Sequence, residues 1–307
     1  MDSKKKTIAE IRQHSRQLVR ELGMIRGVYQ GTGHTVSQCH VLFELAAHRS
    51  LNLMELADNL LIDKSNTSRT VRKLVDEGLI ESEKVSSDNR QKLFKLTRAG
   101  EKVLAEVVEN ADVQVNTALE NLDDDQVQTV IQGMRLYASA LRKSRLQEQF
   151  VLRPIQKKDD PHIAKVIREV MTEFQAIGDG YSINDPEVDD MFATYRDKQS
   201  VYYVITQDEK IVGGGGIGPL KGGGRSTCEL QKMFFLPALR GCGMGRRLLR
   251  LLLDEARKRG YKKCYLETLD RMWQAIELYR KHGFQPLQKP MGNTGHCACD
   301  KWFVLEL

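Results

Sequence analysis

Residues 229–245 read ELQKMFFLPALRGCGMG, and a run with the apolar spacing of a helix follows over residues 246–259. The pattern predicts a strand that passes through a glycine-rich turn into an amphipathic helix. Small residues let the backbone approach a ligand, and the N–H groups and dipole at a helix N-terminus favour an anion. Arg240, Arg246 and Arg247 place positive charge around that end. We therefore expect a pyrophosphate cradle, and ATP is disfavoured because the Lys-Ser/Thr pair of a nucleotide P-loop does not follow the glycines.

A second motif lies downstream, where the predicted strand at 263–268 leads to residues 273–284, which read WQAIELYRKHGF. The R-x-x-G-x-G loop at 240–245 and the A-I-x-L-Y-x-K-x-G-F helix at 275–284 together closely resemble the Gcn5-related N-acetyltransferase (GNAT) family. The resemblance covers about residues 150–307. One position departs from it, since Met272 stands where the family commonly has an asparagine.

The resemblance implies an α/β fold with a mixed central sheet and flanking helices. It also implies direct acetyl transfer from acetyl-CoA to an amine of a small molecule or protein. The backbone of Met233, Phe234 and Phe235 would hold the pantetheine arm. The pyrophosphate would lie against Arg240, Gly241, Cys242, Gly243, Met244, Gly245 and Arg246. Tyr279 would protonate the leaving thiolate, which a phenol with a pKa of about 10 can do.

An attacking amine must be neutral, so the reaction needs a base or a water relay. Glu229 on the splayed strand is the first candidate and Glu267 the second, although carboxylates in strands are more often surface or pairing groups. Tyr279 could also be a packing residue, but its motif match favours the functional interpretation. Residues 178–190 are rich in acids and occupy the segment that lines the acceptor site in these folds. Their carboxylates either attract a cationic amine or serve as solvated and capping groups.

The rest of the second half predicts alternating strands and helices. Strands are expected over residues 151–155, 201–206, 211–217, 227–235, 263–268 and 302–307, and Asp160 caps a helix that begins at Pro161. Residues 213–218 formally contain G-x-G-x-x-G, but no helix follows, so a bulged strand and hairpin is expected. His296, Cys297 and Cys299 raise the hypothesis of a metal site, yet strand packing is favoured because further ligands are not in view. We expect no metal.

The first half has helical spacing and contains no proline. Helices are predicted over residues 36–47, over 53–60 behind the cap Asn52, and from the cap Asp63 to Glu77, with Gly78 closing the third. The third helix has a stripe expected to be buried, made of Thr67, Val71, Leu74 and Val75. Its other face carries Ser65, Asn66, Ser68, Arg69, Arg72 and Lys73. Small polar groups followed by cations suit a helix that enters a DNA major groove, although on an isolated helix they would more often be a solvated face.

Alternating runs over residues 79–85 and 91–97 predict a β-hairpin with Arg90 near its tip, within reach of phosphate or a narrow minor groove. Three helices and a hairpin in this order make a winged helix-turn-helix. The pieces NLMELA (52–57), SNTSR (65–69), LVDEGLI (74–80), DNR (88–90) and LTRAG (96–100) resemble the multiple-antibiotic-resistance (MarR) regulators. The resemblance spans roughly residues 5–145. It implies a homodimer that binds pseudo-palindromic double-stranded DNA and is built from helices at 6–29, 98–119 and 124–147.

Composition bounds the remaining possibilities. The 307 residues predict two domains, 1–148 and 149–307, because a polar helical stretch gives way to an extended one near Arg153. The excess of 47 Lys and Arg over 41 Asp and Glu gives a net charge of +6, which permits a nucleic-acid partner. No apolar run approaches about 18 residues, so no membrane partner is expected. The six scattered cysteines and the polar N-terminus indicate a reducing compartment and a cytoplasmic protein.

Three functions fit this pattern. The first is a bifunctional protein, a dimeric DNA-binding regulator fused to an active acetyltransferase. The second is a regulator whose acetyltransferase fold senses acetyl-CoA or a metabolite without turnover. The third is an enzyme that keeps the winged domain mainly for dimerisation. The complete coenzyme loop with Tyr279 argues against a decayed enzyme, and the basic helix face argues against dimerisation alone, so the first is favoured and the second is the alternative.

Overall fold

The computed structural model describes residues 2–29, 31–85 and 88–307. The chain divides into two compact units, Met1–Ile131 and Gln132–Leu307. This division falls inside a long helix that ends at Gln147, whereas the domain boundary expected from the sequence at 148/149 follows that helix. The boundary at 148/149 stays a prediction. Throughout the described residues, no helix combines the length and the apolar character needed to cross a membrane.

The first unit is mainly helical and contains a small antiparallel sheet. Leu42, Leu56, Leu74 and Ile80 are central to its core. Three helices followed by a β-hairpin make the winged helix-turn-helix that the sequence predicts. The helices are α1 (Asp2–Glu21), α2 (Val36–His48), α3 (Leu53–Leu60), α4 (Lys64–Asp76) and α5 (Arg98–Leu119), and α6 (Asp124–Gln147) begins here. The strands are β1 (Leu51–Asn52), β2 (Ile80–Val85) and β3 (Asp88–Leu96), in the order β1-β3-β2.

Side-chain caps fix where α3 and α4 begin. Asn52 accepts hydrogen bonds from the N–H groups at the start of α3, and Glu55 accepts one from the Asn52 N–H, which completes a capping box. Asp63 accepts a hydrogen bond of 2.9 Å from the Asn66 N–H and so begins α4. Such a cap stabilises a helix by about 1 kcal/mol. Both predicted caps are confirmed, and α4 ends at Asp76, one residue before its predicted end.

The apolar stripe of α4 is narrower than predicted. Thr67, Val71 and Leu74 are buried, but Val75 is 37% exposed. Val75 lies about 100° around the helix from Leu74, which takes it to the edge of the buried face. The prediction that Val75 is buried is therefore wrong, and the remaining stripe still anchors the helix on the core.

The hairpin of β2 and β3 is the predicted wing. Ile80 pairs with Leu96 at its base, and the register continues to Lys84 opposite Lys92. Residues 86 and 87, in the predicted turn, lie outside the described residues. Arg90 belongs to β3, and its side chain also lies outside the described part of the structure.

The second unit is an α/β fold built on a mixed sheet of seven strands in the order β4-β5-β6-β7-β8-β10-β9. β7 and β8 are parallel, and the other neighbouring strands are antiparallel. Its strands are β4 (Val151–Pro154), β5 (Val201–Gln207), β6 (Lys210–Pro219), β7 (Thr227–Phe235), β8 (Lys263–Thr268), β9 (Gln285–Leu287) and β10 (Lys301–Glu306). Its helices are α7 (Asp160–Glu173), α8 (Met191–Thr194), α9 (Met244–Lys258) and α10 (Trp273–Lys281), with the last turns of α6.

The two parallel strands separate after three pairs of residues. Their pairing ends where Glu229 lies opposite Tyr265, although β7 continues to Phe235 and β8 to Thr268. On its other side, β7 changes register against β6 between Gly214 and Gly216. Lys232 at this irregularity has a φ of 49°, which is uncommon for a residue with a side chain. The opened strands leave backbone groups of β7 free of β8. Residues 213–218 form the expected strand of a hairpin, but the extra residue of the bulge against β6 lies on β7, between Gln231 and Phe234.

Two local predictions in this unit are wrong. Asp160 is the first residue of α7 and Asp159 precedes it, since the Asp160 carboxylate instead accepts a hydrogen bond of 2.8 Å from the Phe192 N–H. Cys297 and Cys299 lie in a turn rather than a strand. The nearby Gly295 has a φ of 88°, which a strand does not accommodate, and β10 begins only afterwards. β9 is a strand of only three residues that the sequence pattern does not predict.

Candidate functional site

The exposed face of α4 carries the predicted DNA contacts. Arg69 donates a hydrogen bond of 2.5 Å from Nη2 to Asn66 Oδ1, which holds the guanidinium along the helix surface. Lys73 Nζ lies 3.8 Å from Glu77 Oε1. The structure brings six predicted residues to this exposed side: Ser65, Asn66, Ser68, Arg69, Arg72 and Lys73. The seventh, Arg90, has no described side chain. The six together offer amide, hydroxyl and cationic donors of the kind that read base edges and phosphates.

A cavity of about 900 Å³ lies in the second unit, where β7 leads into α9. Cys242 and Met244 are buried and do not line this cavity, so they could meet a ligand there only through their backbone. The other eight predicted cofactor residues line it: Met233, Phe234, Phe235, Arg240, Gly241, Gly243, Gly245 and Arg246. The predicted catalytic residue Tyr279 lines it as well.

The glycine-rich turn before α9 has a backbone that side chains rarely adopt. Gly241 and Gly243 have φ angles of 75° and 88°, and Gly243 is the residue from which α9 begins. Because glycine has no side chain, the first N–H groups of α9 are not capped by Gly243 and remain available to an anion. At Gly245, an added Cβ would lie 3.2 Å from the Phe235 ring, so the turn also packs closely on β7.

Arg240 is held in place by three contacts at once. Its guanidinium donates to both carboxylate oxygens of Glu173, each at 2.6 Å, and its Nε donates to the Phe235 carbonyl oxygen at 3.0 Å. It also lies 5.3 Å from the centre of the Phe174 ring. The hydrogen bonds from Arg240 lower the pKa of Glu173. Arg240 therefore ties the turn to α7 and β7, in addition to facing the cavity.

Tyr279 lies on α10 and lines one side of the cavity. The residue is only 6% exposed to solvent. Its ring packs 5.8 Å from the ring of Phe284. Burial raises the pKa of the Tyr279 hydroxyl. The hydroxyl therefore carries its proton at neutral pH, and burial makes it a weaker acid than an exposed tyrosine. Met272 caps this helix without a side-chain hydrogen bond, at the position where an asparagine was expected from the resemblance.

Glu229 lies at the point where β7 and β8 separate, and it is only 4% exposed. Gln231 Nε2 donates a hydrogen bond of 2.7 Å to Glu229 Oε2. Burial raises the pKa of Glu229, which moves this carboxylate towards the range in which a base can both take and release a proton. Glu267 instead accepts hydrogen bonds from the Tyr265 hydroxyl at 2.6 Å and from Thr294. These bonds make the Glu267 carboxylate less available as a base than the Glu229 carboxylate.

Three further residues form a charged group beside Glu267, and the sequence did not predict that they meet. Lys232 Nζ lies 2.8 Å from Asp185 Oδ2, and His296 Nε2 lies 3.1 Å from the same oxygen. His296 Nδ1 is also 3.8 Å from Glu267 Oε2. The hydrogen bond with Asp185 raises the pKa of His296. Burial raises the pKa of Asp185, but its bonds to His296 and Lys232 outweigh this and lower it.

The only sequence signal for this group was the expectation that the acidic segment 178–190 lines an acceptor site. Asp185 belongs to that segment, while the sequence signal at His296 is its position beside Cys297 and Cys299. Sequence spacing could not join residues 185, 232 and 296, because they lie on three separate segments.

Comparison with known proteins agrees with both halves of this description. Residues 164–284 match the Acetyltransferase (GNAT) family, and residues 34–92 match the MarR family. The uncharacterized N-acetyltransferase YjgM of Escherichia coli is 41% identical over 158 residues, which are 51% of this chain and 95% of that protein.

Two more distant relatives extend the comparison. Acetyltransferase Atu2258 of Agrobacterium fabrum is 32% identical over 34% of this chain and 73% of its own length. The uncharacterized HTH-type transcriptional regulator YfiV of Bacillus subtilis is 23% identical over 36% of this chain and 69% of its own length. The chain belongs to the GNAT acetyltransferase family and carries a MarR-family domain in its N-terminal half.

Proposed function

We propose that the second unit transfers the acetyl group of acetyl-CoA to an amine of a small molecule or protein. The observation that carries this proposal is a single cavity that joins the free end of β7, the glycine-rich turn and Tyr279. The turn offers helix N–H groups to a pyrophosphate, and the opened strand offers backbone groups to the amide-rich pantetheine arm. Tyr279 offers a proton where the thioester end of that arm would lie.

In the reaction a C–N bond forms and a C–S bond breaks. The amine loses one proton and the leaving thiolate gains one. A neutral amine attacks the acetyl carbonyl carbon, the new C–N bond forms, and the C–S bond breaks. Tyr279 donates its phenolic proton to the departing thiolate. Glu229, directly or through water, takes the proton that the amine loses. The tyrosinate and the protonated glutamate then return to their starting states by exchange with solvent.

If Glu229 is the base, Glu229→Gln is expected to lower the acetylation rate most at pH values above the raised pKa of Glu229 and well below the pKa of the amine. There the acceptor is almost wholly cationic, so removal of its proton is hardest. The deficit is expected to shrink as the pH approaches the pKa of the amine, where free amine is already abundant. The rate of CoA release over a pH series, measured for both proteins with one acceptor, tests this.

Glu267→Gln is the matched control for this experiment, since it removes one carboxylate from the same cluster. We expect a smaller and pH-independent change, because Glu267 is engaged by Tyr265 and Thr294. Parallel pH profiles for Glu229→Gln and the parent would show that Glu229 is not the base.

We also propose that the first unit binds pseudo-palindromic double-stranded DNA as a homodimer, with α4 in the major groove. The exposed cationic face of α4 supports the DNA contact. Exposed apolar side chains on the outer helices support pairing with a second copy of the chain, because a monomer rarely leaves so many uncovered. They include Ile8, Ile11, Leu18 and Val19 on α1, Val113 and Val115 on α5, and Val130 and Ile131 on α6.

Arg69→Ala is expected to weaken operator binding about tenfold, the scale of a lost contact to a base edge or phosphate. The slope of log affinity against log salt is expected to fall by about one unit for each phosphate contact removed. Arg90→Ala, at the predicted wing tip, is expected to act in the same direction. Fluorescence anisotropy with promoter DNA at several salt concentrations measures both quantities.

Lys102→Ala serves as the control, since it removes one charge from an exposed position on α5. Its binding should match the parent's. Parent-like affinity for both Arg69→Ala and Arg90→Ala at matched salt would mean that the DNA-binding surface lies elsewhere.

A further inference from the structure

The last turns of α6 line the same cavity as the glycine-rich turn. Ala140, Lys143, Ser144 and Gln147 line it and lie three or four residues apart, so they occupy one face of the helix. All four belong to the second compact unit. They also lie outside both matched family regions, 34–92 and 164–284, so neither match assigns them a function.

Gln147 touches the glycine-rich turn directly. Its Nε2 donates a hydrogen bond of 3.1 Å to the Cys242 carbonyl oxygen. A Cβ added to Gly243 would lie only 2.7 Å from that nitrogen. The side-chain amide of Gln147 therefore rests on the residue from which α9 begins.

Lys143 lies one turn earlier on the same face of α6. Its Cδ and Cβ would be 3.7 and 3.8 Å from a Cβ at Gly243, and the side chain is exposed. Since Nζ is two atoms beyond Cδ, the ammonium can reach a phosphate group held over the turn. A cation is needed there, because the C-terminal end of α6 has a partial negative charge that disfavours an anion.

Several charged groups at the cavity are already paired with one another and are therefore less available to bind a phosphate. Arg240 is engaged by Glu173, and Glu277 at the cavity is paired with Lys281 at 2.8 Å. Arg246 lines the cavity from α9. Lys143 and Arg246 thus both line the cavity as cations that can bind a phosphate group.

We propose that α6 is part of the acetyl-CoA site, with Lys143 binding the pyrophosphate and Gln147 holding the turn that cradles it. The proposal rests on the proposed function, since it takes acetyl-CoA to be the ligand of this cavity. It adds a helix from outside the matched acetyltransferase region to the binding site. Lys143 contributes by a charge-assisted hydrogen bond, and Gln147 contributes by fixing the Cys242 carbonyl.

Titration calorimetry of acetyl-CoA with the full-length Lys143→Ala variant tests the contact. We expect the dissociation constant to rise about tenfold, the scale of one charge-assisted hydrogen bond that is partly open to solvent. Arg135→Ala is the matched control, because Arg135 is exposed on α6 and does not line the cavity. Its affinity should equal the parent's.

A second ligand shows whether Lys143 contacts the pyrophosphate or the 3′-phosphate of acetyl-CoA. Acetyl-dephospho-CoA keeps the pyrophosphate but lacks the 3′-phosphate, so the ratio between Lys143→Ala and the parent should be unchanged with it. A ratio that falls to one would place Lys143 at the 3′-phosphate and overturn the pyrophosphate assignment. Gln147→Glu should also weaken binding of both ligands, since it removes the donor to Cys242 and adds a negative charge.

The failure of this inference is distinguishable from the failure of the proposed function. If the parent binds acetyl-CoA and Lys143→Ala binds it as tightly as Arg135→Ala does, α6 is not part of the site while the acetyl-CoA proposal stands. If the parent itself does not bind acetyl-CoA, the proposed function is wrong and this inference falls with it.

Discussion

Tyr279→Phe is expected to lower the rate of acetyl transfer about 10²-fold, the usual scale of a positioned general acid. The substitution keeps the ring, its packing on Phe284 and the cavity wall, and removes the only proton that the side chain can donate. Acetyl-CoA affinity and DNA binding should therefore scarcely change. The turnover number with a saturating acceptor, measured by CoA release, is the quantity to compare.

Tyr261→Phe is the control for loss of a buried hydroxyl. Tyr261 is also buried in the second unit, where its hydroxyl donates a hydrogen bond of 3.1 Å to the Gln199 carbonyl oxygen, and it does not line the cavity. Its variant should turn over close to the parent's rate. If Tyr279→Phe also keeps the parent's rate with an acceptor that the parent acetylates well, Tyr279 is a packing residue.

Gly241→Asp is expected to weaken acetyl-CoA binding about 10²-fold relative to Gly241→Asn, since a like charge beside a pyrophosphate costs several kcal/mol. The position suits this comparison. Gly241 lines the cavity, and an added Cβ there would meet no atom within 4 Å. Its φ of 75° is one that asparagine and aspartate tolerate better than most residues.

The two variants have nearly the same shape and make the same demand on the backbone, so their difference isolates the charge. Calorimetry on both, with thermal unfolding to confirm that each is folded, provides the comparison. Equal affinities for the aspartate and asparagine variants would remove Gly241 from the pyrophosphate site.

Local signals made most of the fold predictable. Asn52 and Asp63 cap α3 and α4 through side chains that reach only two or three residues ahead, so sequence spacing alone reveals them. Strands β7 and β8 have their predicted bounds because apolar runs and the adjoining turns delimit them. Asp160 was less predictable, since a contact with Phe192, 32 residues away, competes with the local role of a cap.

The candidate site was predictable where it is built from one continuous segment. The glycine-rich turn and Tyr279 lie in two such segments, and the structure places both on one cavity. The group of Asp185, Lys232 and His296 depends on three segments that meet only in the folded chain. The contribution of α6 could not be predicted either. In sequence, Lys143 and Gln147 show only ordinary helical spacing, and they approach Gly243, about 100 residues later, only in the folded chain.

The most direct test of the central claim is an acetylation assay with the purified full-length protein, acetyl-CoA and a broad panel of amines. We expect CoA release that depends on the amine, together with a product heavier by one acetyl group. Binding of acetyl-CoA without acetylation of any amine in the panel would contradict an active enzyme and favour a domain that senses acetyl-CoA.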